Sequence, residues 1–420
     1  MESLRFMSEE QVRALQGEFE TPFFVYDQRT LEEHARRVLA FPSAFGLTGR
    51  YAMKALPNAA VLRVLSEAGL HVDASSGFEA ERAMRAGIAP QRIQITAQEL
   101  PRDLRALVER GVLFNACSLS QLSAYGELFP GSELSVRINP GRGSGHSNRT
   151  NVGGPSASFG IWHEHLDELL ETAARHRLRV ARMHTHIGSG SDPDKWVVCA
   201  KLSLAIAARL PDVTTLSLGG GFKVARMARE DATDLVAIGQ KIVPEFEAFA
   251  RNEGRKLHLE VEPGTYLVAN AGALVCTVRD LVSTGAGGHR FIKLDSGMTE
   301  VLRPSMYGAQ HPLVVVPRDA ARESQRGEFL VAGHCCESGD ILTPEAGNPE
   351  GLGPRELLEP RLGDALVIEG AGAYCASMAS KNYNSFPECA EVLLTRSGEH
   401  RLIRRRQTLD QLLENEVLPD

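Results

Sequence analysis

Short runs of β-branched and apolar residues recur about every twenty residues through the first two-thirds of the chain, with helical apolar spacing between them. The runs fall at 51–55, 71–75, 93–97, 114–118, 134–139, 182–187, 215–218 and 257–262. Intervening stretches such as Ala59-Ala-Val-Leu-Arg-Val-Leu-Ser-Glu-Ala68 and Phe78-Glu-Ala-Glu-Arg-Ala-Met-Arg85 place apolar residues three and four apart, as one helix face requires. Several close on glycine (Gly69, Gly87, Gly111), which takes the left-handed helix stop without a Cβ clash. Eight strand–helix units in roughly 230 residues predict an α/β fold built on a (β/α)8 TIM-like barrel, which typically needs about 250.

After Gly272 the texture changes. Runs at 275–281, 290–294, 313–316, 329–332, 365–368 and 392–395 read as strands separated by Gly, Pro and Asp turns, and helical spacing becomes scarce until 408–416. A mostly-β C-terminal domain is expected. The early Phe23-Phe-Val-Tyr26 run precedes the barrel and is expected to add a strand to that domain. The expected organisation is an N-terminal segment over 1–30 that contributes to the β domain, a barrel over 31–270 and a β-rich domain over 271–420. The Gly-, Ser- and Asn-rich stretch 139–160 interrupts the barrel pattern and is expected to form a lid at the barrel mouth, since structureless stretches of that length are usually functional.

Charge and cysteine usage narrow the partners. A net charge of −7 argues against nucleic acid, and the Arg404-Arg405-Arg406 run reads as a solvated strand edge or a subunit contact. Seven cysteines show no paired metal-ligand spacing, and Cys335 and Cys336 are adjacent, so a reduced intracellular setting is expected rather than a disulfide framework. The start, MESLRFMSEEQ, is acidic and lacks the apolar core of a secretory signal. With no stretch apolar enough to span a bilayer, a cytoplasmic protein without membrane partners is expected.

Four motifs end apolar runs, and in a barrel they would open on one face. They are Tyr51-Ala-Met-Lys54, His184-Thr-His186-Ile-Gly-Ser189, Gly219-Gly220-Gly221 and Glu262-Pro-Gly264. Catalytic groups of such barrels gather at the C-terminal ends of the strands. A lysine there can form a covalent adduct with a carbonyl when its surroundings lower its pKa; by itself it also reads as a solvated surface residue. Glu262 suits a ring nitrogen, or a structural ion pair. The three glycines would let backbone N–H groups approach a phosphate, or simply make a tight turn. Period-two spacing turns His184 and His186 to the same side of a strand. Without a third ligand nearby, no metal site is expected. His186 stacking on a ring with Ser189 on a phosphate fits better, and His184 reads as a satisfied core histidine. Asp73, a charge within an apolar strand, needs a partner, near Lys54 or elsewhere. A lysine, a stacking ring, a glycine turn and a carboxylate are the parts needed to hold pyridoxal phosphate.

Taken together, the motifs resemble the barrel-type pyridoxal-phosphate amino-acid decarboxylases over nearly the whole chain. The resemblance rests on Asn139-Pro-Gly, Gly145-His-Ser, Thr150-Asn-Val-Gly-Gly154, Gly160-Ile-Trp162, His186-Ile-Gly-Ser-Gly190, Cys336-Glu-Ser-Gly-Asp340, Ser380 with Tyr383-Asn-Ser385, and Arg401-Leu-Ile-Arg-Arg-Arg-Gln-Thr408. The Cys336 run and the tail are similar to the diaminopimelate decarboxylase branch, ornithine decarboxylases having Cys-Asp in place of Cys336-Glu337. The resemblance implies that Lys54 binds the cofactor covalently, His186 stacks on its ring and Glu262 meets the pyridine nitrogen. Ser189, Gly220 and Gly221 would hold phosphate, with Asp73, Gly264 and Tyr374 also at the cofactor. Arg303, Tyr307, Glu337 and Tyr374 would read a small-molecule substrate, and Cys336 would give a proton to the carbanion. It also implies a homodimer with shared active sites, the β domain supplying substrate and dimer contacts. The implied reaction is decarboxylation of meso-2,6-diaminopimelate to L-lysine, the last step of lysine biosynthesis. Two residues depart from the pattern: Thr265 stands where an arginine usually grips the distal carboxylate, and Phe386 where an arginine is common. Arg303, Arg142 or Arg149 would then compensate, or the substrate is another diamino acid such as carboxynorspermidine or ornithine. A non-catalytic cofactor-binding regulator is disfavoured, because Lys54 and Cys336 are both present.

Overall fold

In a computed structural model that describes residues 2–143, 153–186, 190–322 and 325–419, every one of the eight expected strands forms. In chain order the first strands are β1 (Phe23–Asp27), β2 (Leu47–Ala52), β3 (His71–Ala74), β4 (Ile93–Ile95), β5 (Leu113–Ala116) and β6 (Glu133–Asn139). They are followed by β7 (Ile161–Trp162), β8 (Arg179–Thr185), β9 (Thr215–Ser217) and β10 (His258–Val261). Strands β2 to β6 and β8 to β10 pair in parallel in the order β5-β4-β3-β2-β10-β9-β8-β6, and a β5–β6 ladder closes the ring into the predicted barrel. The short β7 attaches only to the end of β6, at Ile138 and Asn139.

Several helices between these strands start where the sequence supplies a cap, while Leu104–Glu109 and Leu166–Arg175 start without a side-chain cap. Asn58, Ser76, Ser118, Asp192 and Asp234 each accept a backbone N–H of the first turn. Such caps contribute about 1 kcal/mol each by satisfying donors that the helix leaves open. The helix Ala59–Glu67 turns Val61, Leu62, Val64 and Leu65 inward, and Gly69 at φ +113° ends the turn that follows it. Burying a Val or Leu side chain in this way contributes about 1.5–3 kcal/mol. The compact unit that contains the barrel holds Glu32–Val224 and Asp231–Leu267.

The second unit gathers residues up to Leu31, Ala225–Glu230 and the chain from Val268 onward. Its strands are β11 (Gly272–Ser283), β12 (Arg290–Leu294), β13 (Leu313–Val316), β14 (Arg326–Ala332), β15 (Pro344–Glu345), β16 (Asn348–Leu352), β17 (Arg355–Leu358), β18 (Ala365–Glu369), β19 (Ala390–Leu394) and β20 (His400–Arg404). The early run forms β1, which lies antiparallel to β11 and parallel to β19. Helix Glu9–Glu18, absent from the sequence reading, starts at a Ser8–Gln11 capping box. It lays Val12 and Leu15 on a core with Val25, Val275, Val367 and Val392. Strands β15, β16, β17 and β20 were also not expected; Gly, Pro and charged residues mask their alternation. The tail arginines sit at a strand edge, where Arg404 pairs with Glu388 and Arg406 donates to the carbonyls of Glu20 and Pro22.

Candidate active site

Strand β2 ends at Ala52, inside the expected run 51–55 and two residues before its lysine. The Ala52 amide still reaches the Pro263 carbonyl (3.1 Å), but Met53–Ala55 then turn tightly and leave Lys54 exposed at the strand's C-terminal end. Its ammonium is felt electrostatically by Asp73, Glu79 and His186, so the amine faces the same mouth as those groups.

Glu262 follows β10 and is buried. Its carboxylate accepts from Ser217 Oγ at 3.0 Å and from Gln94 Nε2 at 3.4 Å, and His184 Nε2 lies 3.1 Å from Oε2. Ser217 Oγ in turn accepts from the Gly219 amide (3.2 Å), which leaves its own proton for Glu262. Asn115 Nδ2 lies 3.2 Å from His184 Nδ1 and also donates to Thr96 Oγ1 at 3.2 Å, an orientation that puts the histidine proton on the Nε2 side, toward Glu262. Burial alone would raise the Glu262 carboxyl, but its neighbours, His184 first and then His186 and Ser217, outweigh it and hold the group ionised well below the usual carboxylate range.

Asp73 behaves in the opposite way. It is buried on β3 with its Oδ1 taking the Thr96 hydroxyl at 2.7 Å. Desolvation first, and then the negative charge of Glu262, push it up to about 8, against the pull of Lys54 and Thr96. Two buried carboxyl groups that feel one another are thereby split into one charged and one protonated near neutral pH. His186 keeps part of its surface open at the mouth, yet desolvation, with Arg137, His184 and Lys54, pushes it well below the ordinary imidazole range, so the ring is neutral.

The glycine turn after β9 is built for close approach. A Cβ on Gly220 would meet the Glu262 carbonyl oxygen at 2.3 Å, and one on Gly219 (φ +71°) would meet the His186 ring at 2.9 Å. The amides of Gly220, Gly221 and Phe222 have no acceptor among the described residues. Amides buried without acceptors are costly, and adjacent free N–H groups in a side-chain-free turn suit a phosphate. A Cβ added to Gly264 would lie 3.3 Å from both the Ala52 carbonyl oxygen and the Ala55 Cβ, a tight fit beside the Lys54 turn. Amine, neutral ring, phosphate turn and ionised carboxylate therefore fit pyridoxal phosphate. Of the barrel residues named from sequence, Lys54, Asp73, His186, Gly220, Gly221, Glu262 and Gly264 gather here, while Ser189, Arg149 and the middle of the expected lid, 144–152, lie outside the described residues. His184 belongs to this site and is no bystander. With it come Gln94, Thr96, Asn115 and Ser217, none of which carries a motif; the signal for Gln94 and Asn115 is a lone amide in an otherwise apolar strand.

Arg303 opens the helix Arg303–Tyr307, and its Nη1 lies 2.9 Å from His311 Nε2. Tyr374 holds φ +55° in the loop after β18. Cys336 and Glu337 are exposed: the Cys336 amide donates to Asn384 Oδ1 (2.8 Å), and Glu337 accepts from Tyr383 O–H (3.4 Å). Asn382, Asn384 and Ser385 all take positive φ, so the loop that seats Cys336 is held in a strained form, as functional loops often are. Phe386 stacks flat on His334 at 3.6 Å, a contact that an arginine there would replace. Thr265 begins the short helix Thr265–Val268 beside Gly264.

Comparison with known proteins agrees with this geometry. Residues 31–269 match the family model described as pyridoxal-dependent decarboxylase, pyridoxal binding domain. The chain is 38% identical to a diaminopimelate decarboxylase of Escherichia coli, over 98% of this chain and 97% of that protein. A crystal structure of a diaminopimelate decarboxylase superposes with a TM-score of 0.89 at 36% identity, over 97% of this chain and 96% of the other. The Helicobacter pylori diaminopimelate decarboxylase complexed with L-lysine superposes with a TM-score of 0.84 at 27% identity, over 96% and 98%.

Proposed function

This chain belongs to the pyridoxal-dependent decarboxylases and, within them, to the diaminopimelate decarboxylases, and we propose that it converts meso-2,6-diaminopimelate to L-lysine and CO2 with pyridoxal 5'-phosphate. The observation that carries this reading is the all-donor setting of Glu262, since a carboxylate kept ionised can hold a proton on a pyridine nitrogen. When bound, the cofactor supplies an electron sink for the bond to the departing carboxylate.

The chain's own residues have these roles. Lys54 would hold the cofactor through its amine, which lies exposed at the C-terminal end of β2. The amides of Gly220, Gly221 and Phe222 would hold the phosphate, a role in which the resemblance also includes Ser189. His186, being neutral, would lie against the cofactor ring without adding a positive charge beside it. Asp73, protonated near neutral pH, sits beside Lys54 without adding a second negative charge next to Glu262. Arg303, Tyr307, Glu337 and Tyr374 read the substrate, with Arg303 taking the distal carboxylate in place of an arginine at 265 and Glu337 taking an ammonium. Cys336 delivers the proton to Cα. The exposure of Cys336 and Glu337 supports their service to a neighbouring subunit's site in a homodimer. No helix among the described residues is long and apolar enough to cross a membrane, and all seven cysteines are free, which supports a cytoplasmic setting.

Purified protein supplied with diaminopimelate should form lysine, and Lys54→Ala should lose both turnover and the visible absorbance of bound cofactor. CO2 release from ornithine but not from diaminopimelate would overturn the substrate assignment, and decarboxylation by Lys54→Ala would overturn the role of the lysine.

A further inference from the structure

Below the cofactor-facing layer the barrel interior holds a second polar layer that the mechanism does not use. Arg50 on β2 makes two contacts with Glu260 on β10, at 2.9 and 3.2 Å, and Arg182 on β8 pairs with the same carboxylate. Arg50 and Glu260 are buried, and Arg182 is largely so. Arg182 also lies 3.2 Å from Gln94 Oε1, and Gln94 is 1% exposed.

This contact fixes the direction of the amide. A guanidinium only donates, so the end of Gln94 that faces Arg182 must be its oxygen. The NH2 end then points the other way, where it reaches Glu262 Oε1 and Thr96 Oγ1, each at 3.4 Å. We propose that Gln94 is a positioning residue for Glu262, its donor end aimed at the carboxylate by Arg182, so that the lower arginine layer completes the donor set that holds Glu262 oriented. Arg182 acts through Gln94 rather than by touching Glu262. The inference rests on Glu262 serving the cofactor's ring nitrogen.

The test is the equilibrium affinity of the cofactor-free protein for pyridoxal 5'-phosphate, followed by quenching of Trp162 and Trp196 fluorescence, with thermal melting of the same samples. Gln94→Leu removes the donor at similar volume and should weaken binding about tenfold, which corresponds to about 1.4 kcal/mol. Arg182→Met leaves Gln94 free to present its oxygen to Glu262 and should weaken binding by a comparable factor. In the Gln94→Leu background Arg182→Met should have no further effect on affinity, whatever it does to the melting temperature. A purely structural role for the layer would lower melting temperatures with the affinity effects of the two substitutions adding, and that result overturns the proposal. So does unchanged affinity in Gln94→Leu. A parent protein that binds no pyridoxal phosphate would instead sink the cofactor reading on which the proposal stands.

Discussion

Asp73→Asn should make the cofactor-free barrel more stable, by an amount that grows with pH. In the folded protein Asp73 keeps its proton up to about 8, because its desolvated site and the neighbouring Glu262 charge oppose ionisation, whereas in the unfolded chain it ionises at its ordinary 3.8. Between those values the native state binds a proton that the unfolded state has released, so stability falls as pH rises. Each pH unit of that interval is worth about 1.4 kcal/mol, giving on the order of 6 kcal/mol over the whole window and about 4 kcal/mol between pH 5 and 8. Asparagine cannot ionise, yet its carbonyl oxygen can still accept from the Thr96 hydroxyl now 2.7 Å from Oδ1, so the variant removes this dependence while keeping the contact. The chain's two tryptophans, Trp162 and Trp196, both lie in the barrel unit, so urea unfolding followed by tryptophan fluorescence reports that unit. The difference between variant and parent should be near zero at pH 4, widen steadily and level off above about 8. Groups elsewhere that titrate in this window cancel in the difference. A difference that stays flat from pH 5 to 8, or a parent that gains stability over that range relative to the variant, would refute the reasoning.

Other expectations follow from the same geometry. Gly220→Ala places a Cβ against the backbone oxygen of Glu262 and should cost about 1–3 kcal/mol in stability and at least tenfold in pyridoxal phosphate affinity by equilibrium dialysis. Gly287→Ala, with nothing within 4 Å of the added Cβ, serves as its neutral control. In the β unit the Arg303 guanidinium can only donate, so His311 Nε2 accepts from it and the Nδ1 proton goes to the Glu369 carbonyl at 2.9 Å. Burial, with Arg303 and Arg226, keeps His311 neutral far below its ordinary pKa. His311→Leu should therefore raise KM for diaminopimelate about tenfold with little change in kcat, as expected when a hydrogen bond to a charged group worth roughly 1.5–3 kcal/mol is removed from substrate reading. The parent's kcat/KM should show no inflection between pH 5.5 and 8 that this substitution removes.

Much of the barrel was legible because its signals are local. Helix spacing repeats every three or four residues, a glycine stop acts on its own turn, and Ser or Asn caps bond two or three residues on. The contiguous motifs around Lys54, His186, Gly219–Gly221 and Glu262 could likewise be placed at strand ends once the strands were counted. The N-terminal helix was not legible, since only Val12 and Leu15 of its ten residues are buried. His184 read as an ordinary core histidine because nothing beside it in sequence names Asn115 or Glu262 as its neighbours.

The amino-acid order alone thus determined the alternation of strands and helices, the change to a β-rich second unit and the kinds of side chain at the barrel mouth. Only the tertiary structure decided that β5 meets β6 to close the ring, that β1 inserts between β11 and β19, and that Gln94 faces Glu262 across 168 residues of chain. It also decided which of two buried acids is charged. Periodicity records which face of an element is apolar. The direction of a donor and the desolvation of a carboxyl depend on atoms brought together from distant strands, and no local pattern carries them.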